Sequence, residues 1–288
     1  MAVSLKGAIN QPVYTQSSIL QGLRSPKGQK IVWVVVEDQE DKMLYEKFSD
    51  ISCSTIKTSE DEEGRKGCEK VEQIVSHVRS LGHENVIGIR DADYIRYQEV
   101  PYNLPDGVFV TDVRDLELML LEAESVVSSM SSIISEFKSI MQECKSICRL
   151  AGYARIMNHV QNLGCNFKRK AKISKIWNHN DHSLIPDWEN IYKNIFISAC
   201  NPEKEVSLAD FQTFVDTHYL TQEKDCDICQ GHDLLDVFSY KMVRNEFAQD
   251  KMVYLMIQCY TFEDFQKTNL YVQTRNYAQD NGLTLWQS

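Results

Sequence analysis

The apolar positions of the chain fall into continuous runs and periodic ones. Ile31-Val32-Trp33-Val34-Val35-Val36 is unbroken and stops at Glu37-Asp38, and Val86-Ile87-Gly88-Ile89 repeats the design, stopping at Arg90-Asp91-Ala92-Asp93. Val/Ile runs of this length predict strands buried on both faces, the habit of parallel sheets. Helical periodicity fills most of the space between them. Glu40 to Phe48 carries Met43, Leu44 and Phe48, Ile51 to Thr58 alternates as a strand, and Cys68 to Leu81 places Val71, Ile74, Val75, Val78 and Leu81 on one face before Gly82 as the stop. A right-handed crossover then lays the Val86 strand parallel to the first.

Gly107 to Thr111 reads as the next strand. From Asp115 the pattern turns helical through Leu116, Met119 and Leu120, and a Ser-rich helical stretch continues to about Leu150. Pro186 to Cys200 reads as a helix or short strand rich in aromatic residues, and the segment after Ser207, an N-cap, carries aromatic residues at helical spacing. From Asp250 the chain is apolar and aromatic, either completing the helical part or meeting another subunit. The pattern predicts an α/β fold, a parallel sheet flanked by helices with a mainly helical additional region. Residues 1–29 read as an N-terminal arm with a short helix near Ser17 to Leu23, 30–123 as the α/β core, 124–225 as a helical insertion and 226–288 as a C-terminal region packing on the core.

Composition narrows the function. At 288 residues, 43% of them hydrophobic, the chain can bury a large core. Lys and Arg total 31 against 41 Asp and Glu, a formal charge of -10, which excludes gripping nucleic acid by bulk charge. A nucleic-acid contact has to be local, and one dense basic segment exists: Lys168, Arg169, Lys170, Lys172 and Lys175, between Phe167 and Trp177. It reads either as a nucleic-acid or acidic-partner contact or as a solvated face. Nine irregularly spaced Cys with no secretory pattern before them, and no apolar stretch of bilayer length, predict a soluble cytoplasmic protein with reduced thiols.

Candidate chemistry gathers at the ends of the two apolar runs. Parallel sheets place their sites at the carboxyl ends of strands, so neighbouring strands would bring Glu37, Asp91 and Asp93 to one rim. Carboxylates that close repel one another unless a cation neutralises them, and hard oxygen donors favour Mg²⁺ or Mn²⁺ over Zn²⁺. Acids after strands also cap the following helix, so both roles stand open. The aromatic loop Tyr94, Arg96, Tyr97 and Tyr102 suits either base stacking or loop packing. Cys226-x-x-Cys229 is half of a zinc site.

The order Val36-Glu37-Asp38, Arg90-Asp91-Ala92-Asp93, Thr111-Asp112-x-x-Asp115-Leu116-Glu117 and Gly231-His232-Asp233-Leu234-Leu235 resembles the Toprim fold of topoisomerases, primases and OLD-type nucleases. Within that group it is most similar to the AriB-type nuclease effectors of the PARIS anti-phage system. The resemblance implies a Toprim-like sheet, with Glu37 as general base or metal ligand and Asp91, Asp93 and Glu117 as metal ligands, Asp115 being the lesser candidate. It sets His232 near phosphate and Asp233 as a cap or supporting group. It further implies a toxic Mg²⁺- or Mn²⁺-dependent nuclease that cleaves RNA, tRNA foremost. Such an effector is held in check by an ABC-type ATPase partner and self-associates on release. A DNA-nicking OLD-like nuclease and a non-catalytic Toprim scaffold are the alternatives. One departure is that many Toprim proteins have Gly after the strand following the Glu-bearing helix, where Ile51 to Thr58 offers Ser and Thr.

Overall fold

The computed structural model describes residues 15–60, 65–97, 101–165, 167, 189, 192–197, 205–219, 225–242 and 249–287. In chain order the elements are α1 (Thr15–Leu23), β1 (Val32–Val36), α2 (Gln39–Phe48), β2 (Ser54–Thr58), α3 (Cys68–Ser80), β3 (Val86–Arg90) and β4 (Val108–Val110). Then follow α4 (Leu116–Glu122), α5 (Glu124–Ile133), α6 (Phe137–Val160), α7 (Leu208–Tyr219), α8 (Asp225–Ile228), α9 (Gly231–Met242), α10 (Gln249–Cys259), α11 (Phe262–Gln266) and α12 (Asn269–Asp280). They form two compact units. The sheet unit takes residues up to Asp91, Asn103–Asp112 and the chain from Thr261; the helical unit takes Ala92–Tyr102 and Val113–Tyr260.

The sheet is parallel throughout in the order β2-β1-β3-β4. β1 and β3 are its central strands and every residue of both is buried, as their unbroken apolar runs demand. One face is covered by α3 and α1, whose Val71, Ile74, Val75, Val78, Ile19 and Leu23 share a core with Trp33, Val35 and Val86. Gly88 lets α3 approach: a β-carbon there would sit 2.7 Å from Val71 Cγ1. The helix Ser17 to Leu23 expected in an arm therefore belongs to the core.

Local differences from the pattern have local causes. Ile51, expected in a strand, is 86% exposed in a turn whose Asp50 carboxylate accepts hydrogen bonds from Ser52, and β2 starts only at Ser54. Leu81, expected on the buried face of α3, is 54% exposed because the helix ends at Ser80. The aromatic C-terminal residues pack on α2, with Phe262 and Phe265 against Phe48 and Trp286 against Tyr45. From Thr261 on the segment completes the sheet unit, whereas α10 (Gln249–Cys259) completes the helical one.

In the helical unit, the expected single stretch from Asp115 to Leu150 is three helices. Ala123 leaves the helix with ψ 128°, and Glu136, with φ 61°, turns the chain before α6. The 24-residue α6 is the centre of the unit and packs against α5, α7, α8 and α9. Ser207 caps α7 as expected, its Oγ accepting the Asp210 amide at 3.1 Å. No helix among the described residues is long and apolar enough to cross a membrane.

Candidate functional site

The register Val35↔Gly88 brings Glu37 level with the end of β3, one residue before Asp91. Glu37 Oε1 accepts the Asp91 amide at 2.9 Å, so the strand-terminal acids of two neighbouring strands stand together. The next residue, Asp38, has the other role that acids after strands can take. Its carboxylate accepts the amides of Glu40 and Asp41, and Asp41 returns the bond to the Asp38 amide, a capping box that starts α2. On the other strand, Arg90 Nε donates to the Asp91 carbonyl at 2.9 Å while its Nη1 pairs with Glu72, which stiffens the backbone below Asp91.

Two neighbours of Glu37 were not read from the sequence. Gly67, at φ 119°, opens α3, and a β-carbon there would lie 3.8 Å from Glu37 Oε2. The Glu37 carboxylate thus lies by the amino end of α3, where helix polarity favours negative charge. Cys68 Sγ is within 4.8 Å of a Glu37 carboxylate oxygen. Neither residue carries a local signal, since one is a helix-start glycine and the other one of nine scattered cysteines. Glu37 and Asp91, both half-buried, suit a divalent cation as hard donors. The Cys68 thiol adds a soft donor that Mg²⁺ does not use.

The other predicted acids belong to the helical unit. Asp93 has φ 45°, in the left-handed region few non-glycine residues enter, and its amide donates to the Arg114 carbonyl at 2.8 Å. Tyr94 stacks on His159 at 4.9 Å and lies under Arg114, whose guanidinium donates to the Tyr94 hydroxyl and to the Ile228 carbonyl. Of the two uses proposed for this aromatic loop, Tyr94 takes packing.

Asp115, 5% exposed, caps α4 by accepting the Leu118 amide at 3.0 Å, and its second oxygen accepts the Gly231 amide at 2.8 Å. Burial first and the neighbouring Glu117 charge second push its carboxyl up to about 7. Glu117 is equally buried and receives His232 Nδ1, whose imidazole side chain is 63% exposed. The expectation that Asp233 caps a helix is corrected: both its oxygens accept from Arg155 at 2.8 Å, and α9 already starts at Gly231 instead of after a turn there. Gly-His-Asp is thus a clip, its three residues tied in turn to Asp115, Glu117 and Arg155.

Cys226 and Cys229 are both buried. Burial pushes the Cys229 thiol well up, and it donates to the Lys145 carbonyl at 3.6 Å. The basic residues Lys168, Arg169, Lys170, Lys172 and Lys175 lie outside the described residues. No protein-family model matches the chain, and no curated protein matches it.

Proposed function

We propose that the chain is a metal-dependent phosphodiesterase of the Toprim kind, a nuclease. The observation that carries this reading is the hydrogen bond from the Asp91 amide to the Glu37 carboxylate, which sets two acids side by side at the carboxyl ends of adjacent parallel strands. Glu37 and Asp91 would hold Mg²⁺ or Mn²⁺, and the Toprim resemblance adds Asp93 and Glu117. When bound, such an ion supplies a water of lowered pKa and charge stabilisation for a leaving oxyanion. The chain's own part is to hold the Glu37 carboxylate through the Asp91 amide and to stiffen the Asp91 main chain with the Arg90 brace beneath it.

The same resemblance favours RNA as substrate, tRNA foremost, within an anti-phage system where an ABC-type ATPase restrains a toxic effector that self-associates once released. A formal charge of -10 agrees with a short or partner-presented substrate more than with long duplex DNA.

Purified chain, alone and with the candidate ATPase, is incubated with bulk tRNA and with supercoiled plasmid in Mg²⁺ or Mn²⁺, against EDTA and Glu37→Ala. Metal- and Glu37-dependent loss of tRNA with plasmid intact supports the RNase; nicked plasmid moves the reading to a DNA nuclease. With neither substrate cut, the non-catalytic scaffold replaces both.

A further inference from the structure

Ser59 is a polar residue with no exposed surface, placed just past β2 at the same sheet edge as Glu37. Its amide donates to the Val36 carbonyl at 2.7 Å. Its hydroxyl donates to the Glu37 carbonyl at 3.0 Å and accepts the Gly67 amide at 3.2 Å. One side chain therefore joins three pieces of backbone: the end of β2, the residue bearing the candidate metal carboxylate, and the start of α3. A buried hydroxyl must have such partners to offset its desolvation, and here both its donor and acceptor capacity are used on the candidate site.

We infer that Ser59 is a positioning residue for Glu37, fixing the main chain of that acid so that its carboxylate is held between the Asp91 amide and the amino end of α3. The inference rests on the metal-site reading of Glu37. Its physical basis is that a ligand gains affinity when the groups behind it restrict its orientation before the ion arrives. The Gly67 backbone, at φ 119°, is the other half of the lock, because the chain has to turn there to bring the Gly67 amide onto Ser59 Oγ.

The Thr15 hydroxyl, which donates to the Thr58 carbonyl at 2.6 Å, offers a control, because that carbonyl belongs to the residue before Ser59 and not to Glu37. Mn²⁺ binding by the full chain, read from the free-ion paramagnetic resonance signal, needs no cleavage assay. The unsubstituted chain binds, Glu37→Gln does not, and Ser59→Ala binds about 10- to 100-fold more weakly. Ser59→Thr, which keeps the hydroxyl, restores most of the affinity, and Thr15→Ala leaves it unchanged.

Equal binding by Ser59→Ala and the unsubstituted chain, with Glu37→Gln still defective, overturns the role of Ser59 and leaves the metal site standing. An equal loss in Thr15→Ala also overturns it, because general loosening would then account for the effect. No Mn²⁺ bound by the unsubstituted chain overturns both readings. Where Ser59→Ala does not fold, hydrogen exchange of the unsubstituted chain decides: saturating Mg²⁺ slows exchange at the Gly67 amide, and an unchanged rate refutes the lock.

Discussion

Replacing Gly231 by alanine puts a methyl group into the contact between α4 and α9. A β-carbon there lies 2.5 Å from Glu117 Cβ and 2.6 Å from Asp115 Oδ1. The first of these atoms is anchored to the backbone, so no change of rotamer removes the clash and the two helices must part. Overpacking of this kind costs about 1–3 kcal/mol. Parting them also stretches the 2.8 Å bond from the Gly231 amide to Asp115 Oδ2, which adds about 1–3 kcal/mol for a buried carboxyl group. The better helix propensity of alanine returns at most about 1 kcal/mol, so the expected net loss is about 1–6 kcal/mol. Urea unfolding followed by far-ultraviolet circular dichroism measures it, with Ser132→Ala on the exposed face of α5 as a control expected within about 0.5 kcal/mol of the unsubstituted chain. A Gly231→Ala midpoint equal to that of the control would refute the close seating of Gly-His-Asp against the two acids.

The raised carboxyl of Asp115 gives a pH dependence with a definite sign. An acid whose folded-state value, about 7, lies above its ordinary 3.8 takes nothing from stability below about pH 4, an increasing amount between pH 4 and 7, and a constant amount above. That amount is on the order of 4 kcal/mol. Asp115→Asn removes this slope, so its thermal midpoint gains on that of the unsubstituted chain between pH 4.5 and pH 8, buffers chosen on either side of the about-7 titration; a gap that is the same at both pH values would sink the assignment. Asp112 accepts the amides of Asn269 and Leu270 at 2.7 and 2.9 Å, at the start of α12. Asp112→Ala should cost about 1–3 kcal/mol and speed hydrogen exchange across α11 and α12 while leaving α3 unchanged. A uniform increase over the whole chain would show that this carboxylate does not act as a local cap.

What the sequence determined by itself was whatever depends on near neighbours. The runs ending at Val36 and Ile89 pointed to strands buried on both faces, because parallel sheets covered on both sides hide every side chain of such a run. The spacing of Val71, Ile74, Val75 and Val78 specified the buried face of α3, and the acids after the runs marked the sheet edge where Glu37 and Asp91 meet. Ser207 was legible as a cap for the same reason, since its partner lies within three residues.

The tertiary structure alone decided which distant groups those elements meet. Periodicity states that Phe262, Phe265 and Trp286 need burial, but not that Tyr45 and Phe48 of α2 supply it. The Toprim resemblance marks Gly-His-Asp without naming Asp115, Glu117 and Arg155 as its partners, more than 70 residues away in the chain. Ser59 was silent for the same cause: a lone serine after a strand looks like any turn residue until the chain between it and Glu37 has folded and brought the carbonyl to its hydroxyl. Burial is a demand each side chain makes alone, whereas a hydrogen bond or ion pair needs a second group, and that group's position is a property of the whole fold.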